Sequence, residues 1–297
     1  MVHIISENNG VMKIGASGDF SVFRTFDCGQ CFRFNKISDS AYFGIAFGKP
    51  LEIEETDDCI ILHNTSEDDF QNIWRGFLDL DRDYGKIKAA VTGSDKIMRE
   101  AVQCGSGIRI LKQDTWETIV SFIISQTNNI PRIKGIIERL CESFGEPVEY
   151  KGKTYYSFPS AEKINSLSLE ELSIIRAGFR DKYIKAAAEA VVSGSLSVQA
   201  LEEMSTPDAK KALMSVKGIG SKVSDCILLF GLARADSFPV DVWIKRIIEH
   251  CYFQSEQSIK TISDFAEKKF GALGGYAQQY LFFYARENKI GTDKQKG

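Results

Sequence analysis

The sequence predicts an α+β chain: an antiparallel, β-rich N-terminal domain with flanking helices (residues 1–112) followed by a mostly α-helical region (113–297). Three observations predict it. Between about residues 11 and 63, short aromatic and β-branched runs alternate with Gly, Asp, Ser and Asn, as in strands joined by turns. Near Ser66 the apolar spacing switches to three and four, the period of a helix. From there onward helical segments follow one another, with no repeat or low-complexity tract.

Taken in order, VMKIG, FSVFRTF, QCFRF, AYFGIAF, LEIEE and CIILH are the expected strands. SEDDFQNIWRGFL then places Phe70, Ile73, Trp74 and Phe77 on one stripe behind a serine cap and an acidic first turn. Asp114 can cap DTWETIVSFIISQT, a buried helix carrying Trp116, Ile119, Phe122 and Ile123. IPRIKGIIERLCESFG aligns Ile133, Ile136, Ile137 and Leu140 and stops at Gly145. After the aromatic segment GKTYYSFP, helices are expected at about 160–165, 168–176 and 181–193. Thr206 reads as a cap before Pro207, and the last helices begin near Pro239, Ser258 and Gly275.

Composition narrows the function classes. With 43% hydrophobic and 26% charged residues the chain is of ordinary globular type. No apolar run approaches the ~18 residues of a membrane span, and MVHIISENNG lacks a signal-peptide core. An intracellular protein with no membrane partner is therefore expected. The seven cysteines are odd in number and irregularly spaced, which argues against a disulfide framework. Cys28 and Cys31 have CxxC spacing, but the three histidines, His3, His63 and His250, form no pair to complete a zinc site. Both cysteines read as small residues of a strand or turn. The net charge of −3 is unevenly spread: residues 1–100 hold 11 Lys+Arg against 17 Asp+Glu, and the remainder holds 26 against 23. The mildly basic second part can still present a DNA-facing surface.

The chemistry is concentrated in LMSVKGIGSKVSDCILLFGLARADSFPVDVWIKRI, residues 213–247. One helix ends at a Gly218-Ile219-Gly220 turn and the next begins at about Ser221. Two glycines let the backbone approach a phosphate closely, and the new helix offers free N–H groups, Val223 among them. Such a hairpin grips DNA through its backbone, which suits an acidic protein. Lys222 sits in the first turn of that helix, where the dipole disfavours an ammonium and favours the neutral amine a nucleophile needs. Asp241, two residues after Pro239, can cap the following helix.

GIGSK, with a Pro-Val-Asp whose proline lies 17 residues after Lys222, resembles the helix-hairpin-helix Gly-Pro-Asp superfamily of DNA glycosylases. Within it the chain resembles the 8-oxoguanine DNA glycosylase/AP lyases. CGQCFRF (28–34), RILKQDTWETIVSFIISQTNNIPRIKGIIERLCESFG (109–145), AGFRDKYI (177–184) and GYAQQYLFF (275–283) carry that likeness over nearly the whole chain. The resemblance implies a TBP-like N-terminal sheet domain and a helix-hairpin-helix glycosylase region. It implies a monomer that acts on double-stranded DNA containing oxidised guanine, flips the lesion out and excises it. Lys222 would attack C1′ and form a Schiff base, with β-elimination to follow, and Asp241 would stabilise positive charge on the sugar. Cys226 and Phe282 would sandwich the flipped base, Gln278 would bond its Watson–Crick edge, and the Gly29 carbonyl would accept the N7–H that distinguishes 8-oxoguanine from guanine. Arg132 and Arg180 would read the orphaned cytosine, Phe179 would wedge into the stack, and Thr127, Asn128 and Asn129 would enter the gap. Backbone carbonyls of Met214, Val216 and Ile219 would hold a structural cation; no other cofactor is implied, and no iron–sulfur cluster.

Three positions depart from the family pattern: Phe179 stands where tyrosine is usual, Thr127 begins the loop usually begun by asparagine, and Trp243 replaces a histidine. Two other readings compete. A different glycosylase of the superfamily, such as an endonuclease III, often ends in four cluster-binding cysteines, whereas only Cys251 follows Asp241 here. A non-catalytic hairpin clamp predicts neither the placed lysine nor a β-rich partner domain.

Overall fold

A computed structural model describes residues 4–8, 10–15 and 19–292. Six strands form one antiparallel sheet: β1 (Ile4–Asn8), β2 (Val11–Gly15), β3 (Phe34–Lys36), β4 (Ala41–Ala46), β5 (Lys49–Glu55) and β6 (Cys59–His63), in the order β1-β2-β6-β5-β4-β3. Alternation sends Met12, Ile14, Leu51, Ile53, Ile60 and Leu62 to one face, where they meet Phe70, Trp74 and Phe77 of the helical run that Ser66 caps. β1 is wholly exposed and carried no signal of burial in the sequence.

FSVFRTF is not a strand. Val22–Asp27 is a helix whose N-cap, Ser21, accepts from the Arg24 N–H, and Glu55 on β5 accepts from the Val22 N–H at 2.8 Å. Val22, Thr25 and Phe26 are buried and Phe23 is exposed. That is helical spacing, in a segment whose residue types favour strands; the two caps decide the outcome. QCFRF joins the sheet only at Phe34.

The segment between this helix and β3 stitches the two halves of the molecule. Cys28 and Phe32 belong to the core of the helical region, and Cys31 and Phe34 to the core beneath the sheet. The CxxC spacing is thus a change of core, with both thiols free and buried. Further along, the aromatic segment forms a hairpin, β7 (Pro147–Tyr150) and β8 (Lys153–Tyr156), whose Tyr150 and Tyr155 rings pack on Phe43 of the sheet.

The helices that build the site are Thr115–Ser125, Ile130–Phe144, Asp181–Val192, Thr206–Met214, Ser221–Phe230, Val242–Ile248 and Gly274–Glu287. Asp114, Asn129 and Asp241 cap three of them through their side chains. Thr206 is itself helical and the cap is Ser205, whose hydroxyl accepts from Asp208 N–H; Pro207 therefore sits one position further in. A short helix, Val198–Glu203, lies where none was expected. No described helix is long and apolar enough to cross a membrane.

Candidate active site and nucleic-acid interface

Helix Ser221–Phe230 starts from Gly220, which supplies no side-chain cap. Its first N–H groups, including those of Lys222 and Val223, are left for an anion. The two glycines of the hairpin have different tasks. Gly218 has φ +98°, and a Cβ there would lie 2.4 Å from Cγ of Tyr183, so the turn needs glycine on both counts. At Gly220 a Cβ would meet nothing within 4 Å. Its bare backbone faces open space, as a phosphate-approach position requires. Val223 directs its side chain into the core, so only its backbone is available there.

In the first turn of that helix, Lys222 opens onto a cavity of about 460 Å³. Its Nζ lies 5.4 Å from the centroid of Phe122, which in turn stacks on Phe230. Asp241 enters the same cavity from the N-terminus of Val242–Ile248, where its Oδ1 accepts from the N–H groups of Trp243 (3.0 Å) and Ile244 (2.9 Å). Burial raises the Asp241 pKa above the usual carboxylate range, against the opposing pull of these N–H donors and the Lys222 charge. Capping and a charge facing the lysine coexist in one side chain.

To the same cavity, helix Gly274–Glu287 contributes Gln278 and Phe282, and the turn after Asp27 contributes Gly29. Gln278 is 4% exposed and its Oε1 has no hydrogen-bond partner. A buried, unpaired amide oxygen costs about 1–3 kcal/mol unless a ligand pairs it. Cys226, one turn after Lys222, forms another wall, with burial pushing its thiol up to about 11. Gly29 has φ +80°, and a Cβ there would lie 3.3 Å from the Phe282 ring.

Outside the cavity mouth the remaining predicted residues gather around the loop Gln126–Asn129. Asn128 and Asn129 line the cavity edge and tie the loop to its flanking helices, Asn128 donating to the Ile124 carbonyl and Asn129 accepting from the Arg132 N–H. Thr127 adopts φ +48°, a left-handed conformation that is unusual for a β-branched residue. Phe179 is 54% exposed, braced by the Arg180 guanidinium at 4.3 Å and by the edge of Tyr183. Arg180 is not the exposed helix-start residue its position suggests. It is buried, and it donates to the carbonyls of Gln126, Thr127 and Ala177. Burial, with the nearby Arg132 charge, lowers its pKa. Arg180 therefore holds the loop, and Arg132 is the exposed member of the pair. Gln126 extends the chain of contacts, donating to the Gly218 carbonyl at 3.0 Å.

A lysine and an aspartate facing one another across a cavity beside an uncapped hairpin helix match a known architecture. Residues 14–119 match the 8-oxoguanine DNA glycosylase N-terminal domain, and residues 120–271 match the HhH-GPD superfamily base excision DNA repair proteins. The chain belongs to the 8-oxoguanine DNA glycosylase family. It is similar to MBOgg1, solved with a low-affinity DNA ligand, at 45% identity and TM-score 0.94 over 97% of this chain and 99% of that one. It is also similar to the Clostridium acetobutylicum 8-oxoguanine glycosylase/lyase, solved with duplex DNA containing cytosine opposite 8-oxoguanine, at 38% identity and TM-score 0.93 over 98% and 99%. The N-glycosylase/DNA lyase OGG1 of Arabidopsis thaliana is 26% identical over 87% of this chain and 75% of its own.

Against the family pattern, sequence reasoning missed Phe122, Trp243, Gln279 and Arg286 as cavity residues. Phe122 was legible only as core. Trp243 packs against Arg246, with the guanidinium 5.1 Å from its ring centroid, so the position of the usual histidine is filled by a cation–π pair. Gln279 and Arg286 gave no signal, since a polar residue on a helix face is usually solvated.

Proposed function

We propose that the chain is a bifunctional DNA glycosylase/AP lyase that excises 8-oxoguanine from duplex DNA, with Lys222 as nucleophile and Asp241 as the electrostatic partner. The observation that carries this reading is a single cavity in which Lys222 and Asp241 face Phe282 and the unpaired Gln278 oxygen. A flipped base stacks between Cys226 and Phe282 and gives Gln278 the partner it lacks. The Lys222 amine attacks C1′; the C1′–N9 bond breaks, its electron pair leaves with the base, and the proton lost from Nζ neutralises the base. The C1′–O4′ bond then opens to give a Schiff base, loss of a C2′ proton expels the 3′ phosphate by breaking C3′–O3′, and hydrolysis frees the lysine. Asp241 stabilises the positive charge that gathers on the sugar as the base departs.

On the other strand, Phe179 fills the gap, Arg132 meets the orphaned cytosine, and Arg180 positions the Gln126–Asn129 loop that surrounds it. The carbonyls of Met214, Val216 and Ile219 are hard neutral donors that suit a monovalent cation. Among the described residues no N–H bonds those of Met214 or Ile219, while Val216 accepts from Ile219 N–H at 3.1 Å. A cation bound there would add positive charge beside the phosphate site.

Borohydride trapping tests the proposal. The wild-type chain is expected to form a covalent adduct with 8-oxoguanine duplex, and Lys222→Gln is expected to lose both trapping and base release while retaining lesion binding. Undiminished trapping in Lys222→Gln would remove the lysine from the mechanism.

A further inference from the structure

We propose that Gln279 and Arg286 form a two-point clamp that fixes the Gly29 carbonyl against the lesion-binding face of helix Gly274–Glu287, and so set the discrimination of 8-oxoguanine from guanine. The inference deepens the proposed function, because it rests on Gly29 as the acceptor for the lesion's N7–H.

The carbonyls around Gly29 are all engaged. Arg286 Nη2 donates to Asp27 O at 2.8 Å, Gln279 Nε2 to Cys28 O at 3.0 Å and Gln113 Nε2 to Gln30 O at 2.8 Å. Among the described residues no donor bonds the Gly29 carbonyl. The turn is therefore held on both sides with one acceptor left bare, at the wall of the cavity. Two of these donors come from the helix that carries Gln278 and Phe282. Arg286 also lies 5.7 Å from the Phe282 ring centroid, so it braces the stacking surface as well as the turn. Gln279 is 2% exposed, and its amide is spent on this contact.

The physical consequence follows from what separates the two bases. Guanine presents a lone pair at N7 and the lesion presents a hydrogen, so a fixed carbonyl repels one and bonds the other. That difference shrinks steeply if the carbonyl can retreat or turn. A base whose plane is set by Phe282 and whose edge is set by Gln278 meets Gly29 in register only if the turn is tied to the same helix. Gln279 and Arg286 are thus positioning residues acting through the Asp27–Gly29 turn.

The test compares two activities of the same active site, single-turnover release of 8-oxoguanine and β-elimination at a preformed abasic site, which has no base to read. Arg286→Ala and Gln279→Leu are each expected to slow 8-oxoguanine release about tenfold, in line with the sensitivity of catalysis to sub-ångström misplacement, and to leave abasic-site cleavage within about twofold. Arg286→Lys, which keeps a donor for Asp27 O, is expected to recover most of the loss. Equal losses on both substrates, no loss on either, or Arg286→Lys as impaired as Arg286→Ala would overturn the clamp. Gly29→Ala is assayed in parallel. If it too loses both activities equally, the carbonyl reading itself fails; if it is selective while the Arg286 and Gln279 variants are not, only the clamp fails.

Discussion

Asp241→Asn separates the two roles that one side chain performs. Asparagine keeps an acceptor for the Trp243 and Ile244 N–H groups, so the cap survives. The raised pKa of Asp241 already weighs those donors and Lys222 against burial, and burial wins. The folded chain therefore holds this proton more tightly than the unfolded chain. The resulting stability is complete below the ordinary carboxylate pKa and is lost as pH rises through the raised folded value. At neutral pH the ionised carboxylate costs stability relative to a neutral amide, and the variant is expected to melt no lower than the wild type.

Turnover moves the other way. A unit charge about 5 Å from a sugar carrying about half a positive charge, in an effective dielectric of about 20, contributes roughly 1.7 kcal/mol. Its loss slows single-turnover excision about tenfold or more. The pH dependence of melting supplies a second readout: the wild type is expected to lose more stability than Asp241→Asn as pH rises through the raised Asp241 pKa. Unchanged turnover in the variant, or an equal pH-dependent loss in both chains, would refute the reasoning.

The other expectations are as specific. Arg132→Ala is expected to leave melting unchanged and to relax preference for cytosine opposite the lesion by about 1–3 kcal/mol, measured across the four opposite bases. Arg180→Ala strips a partner from the buried Ala177 carbonyl and two from the half-buried loop, and is expected to cost about 3 kcal/mol of stability and to weaken binding to all four duplexes alike. Gly218→Ala is expected to destabilise by about 2–4 kcal/mol through its clash with Tyr183 and its positive φ, whereas Gly220→Ala melts normally and loses duplex affinity by filtration or anisotropy. Thr127→Asn is expected to gain about 1 kcal/mol on denaturant melting, because asparagine tolerates the left-handed backbone that threonine resists.

Much of this fold was written in local pattern. The short β-rich runs VMKIG, AYFGIAF and CIILH became β2, β4 and β6, and the Ser66 stripe became the helical cover of the sheet. Lys222 and Asp241 could be singled out because each makes a local statement, a cation at a helix start and a carboxylate at a cap. What stayed hidden depends on tertiary partners. The helix Val22–Asp27 needs Glu55 from another strand to complete its N-terminus. Arg180 looks solvent-facing until the carbonyls of a loop some fifty residues earlier surround it. Gln279 and Arg286 resemble any polar helix residues until the turn at Asp27–Gly29 is packed against them.

The same contrast explains how a chain of net charge −3 can present a DNA-binding face. Few side chains of the proposed contact surface are free cations: Arg180 is committed to the protein, and Lys222 lines the cavity as the proposed nucleophile. The contacts that remain are the bare backbone at Gly220, the uncapped N–H groups beyond it, the Phe179 wedge and Arg132. All but Arg132 act by shape or by fixed dipoles, so they depend on how firmly the protein holds them. Gln126 bonds the Gly218 carbonyl, Arg180 bonds the Gln126 carbonyl and stacks on Phe179, and Tyr183 packs against both Phe179 and Gly218. A continuous chain of contacts therefore joins wedge, loop and hairpin. A displacement that withdrew the wedge would also disturb the phosphate grip, which ties the holding of an extruded base to the hold on its backbone.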